Sequence, residues 1–154
     1  VKGDAYGKWK ETKHAKAWDT LATPEAKAVA KARGIDDPQK SDQCVRCHVT
    51  AFGVADTELD SKFDRKLGIQ CETCHGPGEN HVKSRMADED EDPASVHEKA
   101  QKEMPLPDPK GVCVKCHNTD SPSIEKSPFW NVEKKEFDFE KAIKEIAHPN
   151  PMWH

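Results

Sequence analysis

The sequence predicts a mostly α-helical protein with long loops and little or no β structure. Apolar residues recur at helical spacing in three segments. Strand signals are nearly absent, because valines and isoleucines are scattered and 11 prolines interrupt the chain. Only 34% of the 154 residues are hydrophobic and 34% are charged, so a core of side chains alone would be thin. We therefore expect a single domain, residues 1–154, in which another component supplies apolar volume.

The first predicted helix runs from Tyr6 to Leu21. Ala17, Trp18 and Leu21 follow His14 at three, four and seven residues, so they share its face of the helix. A lone histidine is more often an ordinary surface or core residue. A histidine on a buried and partly aromatic face nevertheless suits a metal ligand, and His14 is therefore a candidate.

The second predicted helix runs from Pro24 to Arg33. Thr23 supplies the N-cap, proline takes the first helical position and Gly34 ends the helix. The helix leads through a loop into the first cysteine pair. Farther along, residues 87–111 are predicted to form a polar connection that contains several prolines.

The third predicted helix runs from Phe139 to Ala147. Its predicted apolar face consists of Phe139, Ile143, Ile146 and Ala147. Pro149 ends the helix and helps to fix the imidazole of His148, which stands directly before it. His148 is therefore a second candidate ligand.

All 6 cysteines fall in C-x-x-C pairs, and a histidine follows each pair directly. The pairs are Cys44 with Cys47, Cys71 with Cys74, and Cys113 with Cys116, followed by His48, His75 and His117. This spacing is typical of c-type haem attachment, in which two thioethers anchor the porphyrin and the histidine lies under the iron. Three alternatives fit less well. A structural zinc site needs two pairs per metal, so three pairs would leave one unmatched. A thioredoxin-like motif needs a βαβ setting, which the sequence around the pairs lacks, and structural disulfides would not require the histidines.

We therefore expect three c-type haems, with the helices and loops wrapped around them as a stack. The second axial ligand largely sets what a haem can do. The remaining histidines are His14, His81, His97, His148 and His154, and the methionines are Met86, Met104 and Met152. Five spare histidines for three irons predict bis-histidine ligation, and no methionine stands in a segment that marks it as a ligand.

His81 follows His75 by six residues, across the turn Gly76-Pro77-Gly78. Because this turn is tight, the chain cannot easily pass to the opposite face of the same porphyrin. If His81 is a ligand, it therefore serves a different haem or a different chain. His97 lies among charged residues and His154 is the last residue, so both are taken as surface residues.

Four segments together resemble the cytochrome c-554 family of tetrahaem electron carriers from the ammonia-oxidation pathway. They are WKETKHAKA (residues 9–17), CVRCHVTAFG (44–53), CETCHGPG (71–78), and CVKCHNTDSPS with the closing helix (113–146). The resemblance covers nearly the whole chain. The family's first C-x-x-C-H should stand just before Tyr6, where this chain has Val1-Lys2-Gly3-Asp4-Ala5.

The resemblance implies a set of ligand pairs. His14 would be the distal ligand of the haem on Cys71 and Cys74, and His148 that of the haem on Cys113 and Cys116. His81 resembles the distal ligand of the family's first haem. Because the motif of that haem does not stand before Tyr6, which haem His81 would bind is undecided. The haem on Cys44 and Cys47 resembles the family's five-coordinate haem, and whether its sixth position stays open is likewise undecided.

Three functions fit this sequence. The first is an electron carrier between redox proteins, which we favour over an enzyme, and no catalytic residue stands out. The second is a redox enzyme for nitric oxide or hydroxylamine at an open iron beside His48. The third is a haem-bearing subunit of a larger redox complex or cytochrome polymer, in which His81 would join copies as a homo-oligomer. An exchangeable sixth position on the His48 iron separates the second from the others.

The formal net charge of −4 and the mixing of acids and bases argue against a nucleic-acid partner. No segment approaches the roughly 18 apolar residues of a membrane span. The acidic run 88–92 is either a solvated loop or a docking patch for a basic redox partner. Covalent haem attachment of this kind is completed outside the cytoplasmic membrane, so we expect a periplasmic or extracellular location.

Overall fold

The computed structural model describes residues 4–87, 92–105 and 107–148. Short helices joined by turns form most of this part of the chain. The α-helices are α1 (Ala5–Glu11), α2 (Ala17–Thr20), α3 (Pro24–Lys31), α4 (Asp42–Val45), α5 (Cys71–His75), α6 (Glu79–Ala87), α7 (Pro93–Glu103), α8 (Pro109–Val112) and α9 (Phe139–Ile146). Single 3₁₀ turns lie at Pro38–Lys40, Asp56–Glu58, Arg65–Leu67, Cys113–Lys115 and Ile124–Lys126. An antiparallel hairpin pairs β1 (Trp130–Asn131) with β2 (Glu136–Phe137). The predicted fold class, mostly α with little β, is confirmed.

The first predicted helix is interrupted in its middle, where α1 ends and α2 has not yet begun. Thr12 has an extended backbone, with ψ of 161°, and its hydroxyl donates to the carbonyl of Trp9 at 2.7 Å. The same hydroxyl accepts from the amide of Ala15 at 3.3 Å. A threonine that bonds the neighbouring backbone competes with the helix in this way. His14 consequently lies in a turn between two helices instead of on a continuous helical face.

The second predicted helix is confirmed as α3, although its α-helical part ends at Lys31, two residues before the predicted end. The hydroxyl of Thr23 accepts from the amide of Ala26 at 3.2 Å and caps the first turn. Gly34 has φ of +72°, a backbone conformation that suits glycine at the end of a helix. These local signals suffice to set both ends of α3.

The third predicted helix is confirmed as α9, but its buried face differs from the predicted one. Ala142 is buried and Phe139 packs against the same cluster, while Ile143 is 39% exposed. The helix begins directly after β2, so the residues nearest the hairpin turn inward. The apolar cluster beneath α9 consists of Ile124, Phe137 and Ala142, with Phe129, Trp130 and Phe139 packed around it.

The predicted polar connection over residues 87–111 contains helices that were not predicted, because most of its described residues are helical. It contains the end of α6, all of α7 and most of α8. Asp108 caps α8, since its carboxylate accepts from the amides of Lys110 and Gly111, both at 3.1 Å. Proline stands at the first position of both α7 and α8. The prolines therefore begin helices here instead of breaking them.

Buried apolar side chains are few within the described ranges, as the composition predicts. They are Ala17, Leu21, Ala30, Pro38, Val49, Ile69, Ile124, Phe137 and Ala142. Six of the nine lie before residue 70, in the part of the chain that contains the first motif. None of the helices in the described residues combines the length and hydropathy that crossing a membrane requires.

Candidate haem centres

Each C-x-x-C-H motif forms a helical turn. The amide of His48 donates to the carbonyl of Val45 at 2.9 Å, and that of His117 donates to Cys113 at 2.8 Å. The second motif is α5 itself, Cys71–His75. On a helix the residues i, i+3 and i+4 share one face, so both sulfurs and the imidazole of a motif project together. All six cysteines are free thiols. The two cysteines of a motif can therefore attach one edge of a porphyrin, and its histidine can lie beneath the iron.

Two of the motif histidines are oriented by backbone carbonyls. Nδ1 of His48 lies 2.6 Å from the carbonyl oxygen of Ala17, and Nδ1 of His75 lies 3.0 Å from that of Pro105. A carbonyl oxygen only accepts, so each Nδ1 must carry the proton and donate it. The lone pair of each ring then lies on Nε2, which is the arrangement that metal-binding histidines adopt.

His117 is held by an aromatic ring. It stacks on Phe137 with ring centroids 4.6 Å apart and 26° between the planes. Burial lowers the pKa of His117, and the neighbouring His14 and His48 lower it further. Burial also lowers the pKa of His14. A metal binds the neutral imidazole, so both rings are kept in the form that an iron requires.

Two pairs of imidazoles lie close to each other, with 64° between the rings of the first pair and 55° between those of the second. The ring centroids of His14 and His117 are 6.1 Å apart, and those of His75 and His148 are 5.8 Å apart. A bond from a metal to an imidazole nitrogen is about 2 Å, so two histidines on opposite sides of one metal have ring centres about 6 Å apart. The structure thus brings together histidines that are 103 and 73 positions apart in the sequence, at the spacing of an axial pair.

These pairs are the reverse of those that the family resemblance implies. The resemblance assigns His14 to the motif of His75 and His148 to the motif of His117, whereas the ring contacts seen among the described residues are His14 with His117 and His75 with His148. Phe137 stacks on His117, and the 8 residues of α9, about 12 Å along the helix axis, lie between Phe137 and His148. The closing segment therefore contacts both pairs, one at each end.

His48 lines a cavity of about 200 Å³ together with Cys44, Cys47 and Cys116. The opposite wall is α3, which contributes Ala26, Val29 and Ala30. Among the described residues that line this cavity there is no second histidine and no methionine. An iron held by His48 would therefore meet an apolar wall instead of a second protein ligand, as the resemblance to a five-coordinate haem implies.

His81 is brought to a carboxylate instead of to a motif histidine. Its Nδ1 lies 3.5 Å from Oε2 of Glu103, which joins α6 to α7. Both atoms are inaccessible to solvent, and their geometry is too poor for a hydrogen bond. The side chain of His97 and all of Met152 and His154 lie outside the described residues. Met86 is 77% exposed on α6.

The first and third motifs meet at their second cysteines. The Cys116 thiol donates to Cys47 and, helped by Arg46, lowers the pKa of Cys47 to about 6. The same contact raises the pKa of Cys116, because the proton that the two sulfurs share stays with it. Within the described ranges, no three side chains of His, Cys, Asp or Glu converge as they would around a bare metal ion. The donor set thus fits haem better than a structural zinc ion.

Sequence reasoning missed the groups that orient the motif histidines. Ala17 and Pro105 act through backbone carbonyls, which every residue has, so no side-chain signal could have marked them. Phe137 carries a weak signal, since it begins the Phe-Asp-Phe run before the closing helix. Gly68, which packs against the carbonyl of His14, looks like any loop glycine in the sequence.

Comparisons with known proteins agree with this donor set. The model of the family described as cytochrome c554 and c-prime matches residues 3–76, which contain the first two motifs. Cytochrome c-554 of Nitrosomonas europaea is 41% identical over 88 residues, which cover 51% of this chain and 37% of that protein. Multiheme cytochrome MtrA of Shewanella baltica is 30% identical over 128 residues, which cover 77% of this chain and 35% of that protein. The chain therefore spans little more than a third of the length of either relative. No solved structure matches it significantly.

The predicted resemblance is thereby confirmed at the level of the family. Both relatives are cytochromes, and one is named as multihaem. The family match ends at residue 76, just after the second motif, while the third motif has the same residues at the same spacing. Membership implies covalently bound c-type haem, which is what cysteines and histidines in this order are able to hold. The chain belongs to the multihaem c-type cytochromes.

Proposed function

We propose that the chain carries electrons between redox partners through three haems, one on each C-x-x-C-H motif. The observation that carries the proposal is the pair of facing imidazole couples, His14 with His117 and His75 with His148. When bound, each haem iron alternates between its ferric and ferrous states and so accepts and donates one electron. The protein's part is to bring two imidazoles to each of two of these irons.

The contacts between motifs support one trihaem unit over residues 1–154. The segment that contains His14 and Ala17 touches both the first and the third motif. The second motif is tied to the first by the hydroxyls of Thr50 and Thr73, which lie 2.7 Å apart. Three motifs held together in this way place their cofactors close to one another, and electron carriers need that closeness.

Partners and location follow from charge and from the chemistry of attachment. The net charge of −4 favours partners with a basic docking face, which electrostatic steering would bring in rapidly. Residues 88–91 of the acidic run lie outside the described residues. Covalent attachment of haem is completed outside the cytoplasmic membrane, so we place the protein in the periplasm or outside the cell.

The test is a count of haems and of their spin states on one sample. We expect three covalently bound haems per chain by pyridine haemochrome and intact mass, with two low-spin ferric irons and one high-spin iron by electron paramagnetic resonance. A Cys113→Ser/Cys116→Ser variant should carry two haems and lose one low-spin signal. Fewer than three haems in the unchanged protein would contradict the proposal.

The cavity beside His48 favours a second function, the binding and reduction of a small molecule such as nitric oxide or hydroxylamine. The part of the lining that α3 contributes includes Ala26, Val29 and Ala30, and the described lining residues include no second histidine and no methionine. We therefore expect the reduced protein to bind one carbon monoxide per three haems, as a probe of an open iron.

A matched pair of α3 variants tests the location of that site. Ala26 lines the cavity, whereas Ala28 is exposed on the same helix. Ala26→Phe should weaken carbon monoxide binding by roughly tenfold or more, because overpacking costs about 1–3 kcal/mol. Ala28→Phe should leave the affinity unchanged. Equal affinities for the two variants would place the open iron elsewhere, and no binding at all would leave the electron carrier as the sole function.

A further inference from the structure

The turn at residues 14–17 touches two haem centres at once. At one end of the turn, the ring of His14 faces that of His117, with centroids 6.1 Å apart. At the other end, the carbonyl of Ala17 accepts from Nδ1 of His48 at 2.6 Å. The amide of Ala17 also donates to the carbonyl of His14 at 3.1 Å, which closes the turn on itself. One short hydrogen-bonded turn therefore supplies a ring to the third centre and an orienting acceptor to the first.

Hydrogen bonds from neighbouring segments also keep the turn in one rigid shape. The amide of Ile69 donates to the carbonyl of His14 at 3.0 Å, and the indole of Trp9 donates to the carbonyl of Ile69 at 2.7 Å. Thr12 holds the turn from its N-terminal side through the amide of Ala15. Ala17 is itself buried, with 8% of its surface exposed. A displacement at one end of the turn is therefore passed to the other end instead of being absorbed by a flexible loop.

Gly68 is the residue that allows this close packing. Its φ is +76°, and a Cβ on it would lie 2.5 Å from the carbonyl oxygen of His14 and 3.1 Å from that of Ala15. Its own carbonyl accepts from the amide of Thr50 at 3.0 Å and from the Thr50 hydroxyl at 3.2 Å. Thr50 follows His48 by two residues, so Gly68 joins the turn to the first motif a second time.

We propose that the turn at residues 14–17 couples the two haem centres mechanically, so that ligation by His14 at the third centre tunes the haem held by His48. The inference rests on the proposed haem ligation. A carbonyl that accepts from Nδ1 makes the imidazole more basic, and this second-shell bond is one of the means by which a protein sets the potential of a haem. When His14 is bound, the turn holds the Ala17 carbonyl against His48. When His14 is released, the bond weakens and the potential of the His48 haem rises.

The coupling is reciprocal because linkage between two sites has the same size in both directions. A change that draws His48 away from Ala17 should therefore weaken the hold of His14 on its own iron. A purely electrostatic interaction between haems would respond to charge alone. The mechanical coupling that we infer responds instead to the position of the turn. A variant that displaces the turn without changing charge therefore distinguishes mechanical from electrostatic coupling.

The first experiment compares two glycine variants in the intact haem-loaded protein. Gly68→Ala introduces both a positive-φ penalty and a clash with the turn, whereas Gly53→Ala, with φ of +79° and nothing within 4 Å, introduces the penalty alone. Redox titration followed by paramagnetic NMR resolves each haem. We expect Gly68→Ala to raise the potential of the His48 haem and to turn part of the His117 iron high-spin, with neither change in Gly53→Ala. Changes confined to one centre in Gly68→Ala would overturn the coupling.

A second comparison keeps the proposal testable if Gly68→Ala does not fold. His14→Ala and His148→Ala each remove one facing imidazole, but only His14 stands on the turn. We expect the potential of the His48 haem to rise in His14→Ala and to stay unchanged in His148→Ala. Equal shifts in both variants would show coupling through space and overturn the proposal. If His14→Ala produced no new high-spin iron, the His14–His117 pairing itself would fail, and the coupling with it, even where three haems are present.

Discussion

Replacing His14 by alanine should turn the iron on the third motif from low-spin to high-spin. The facing rings of His14 and His117 are 6.1 Å apart, so removal of one imidazole leaves that iron without its second strong ligand. We expect one additional high-spin ferric iron per chain in the electron paramagnetic resonance spectrum, and a new carbon monoxide site in the reduced protein. His148→Ala should produce the same change at the iron of the second motif.

The assignment of each pair can be checked by deleting motifs. In a Cys113→Ser/Cys116→Ser background, the haem that His14 serves is gone, so adding His14→Ala should change no further spin signal. Adding His148→Ala to the same background should still convert one iron. If His14→Ala instead converted an iron in this background, His14 would belong to the second motif, as the family resemblance implies. The two pairings therefore give opposite results in one triple variant.

Replacing Phe137 by alanine should cause the largest loss of stability of any single core change considered. Phe137 is 9% exposed, stacks on His117 and packs against Phe129 and Phe139 at centroid distances of 6.1 and 5.4 Å. Truncation of a buried phenylalanine to alanine costs about 3–5 kcal/mol. We expect a loss of that size in the free energy of unfolding, measured by chemical denaturation and followed by circular dichroism. The His117 iron should also show a broadened low-spin signal, because its ligand has lost the stacked ring.

Val132 offers a matched control in the same hairpin. It is 57% exposed in the connection between β1 and β2. Val132→Ala should change the free energy of unfolding by less than about 0.5 kcal/mol, as exposed substitutions usually do. Phe137→Leu should fall between the two, since it keeps apolar volume but removes the stacking. A Phe137→Ala protein as stable as Val132→Ala would show that the bound haems, and not this cluster, hold the C-terminal part of the chain together.

His81 shows what the spacing of residues in the sequence can predict about a ligand. The tight turn after His75 indicated that the chain could not easily carry His81 to the opposite face of the same porphyrin, and the structure places His81 beside Glu103 on another helix. A carboxylate near Nδ1 is a common orienting group for a metal-binding histidine.

The sequence by itself determined the features whose causes are local. C-x-x-C-H places two sulfurs and an imidazole on one helical face because the residues i, i+3 and i+4 share that face. Thr23, Pro24 and Gly34 set the ends of α3 through a cap, a fixed φ and a positive φ. The same motifs also indicated the family, since the C-x-x-C-H spacing identifies c-type haem attachment from the sequence alone. These predictions needed no contact between distant residues.

The tertiary structure decided everything that depends on contacts distant in sequence. The turn that carries His14 begins at the local bonds of Thr12, and its place in the fold is set by the amide of Ile69, far along the chain, which donates to the carbonyl of His14. His14 meets His117, and His148 meets His75, through contacts between segments that are far apart in the sequence. The acceptors for His48 and His75 are carbonyls that every residue carries. Helical periodicity shows which face is apolar, but the direction in which a ligand points is set by packing between segments that the sequence keeps far apart.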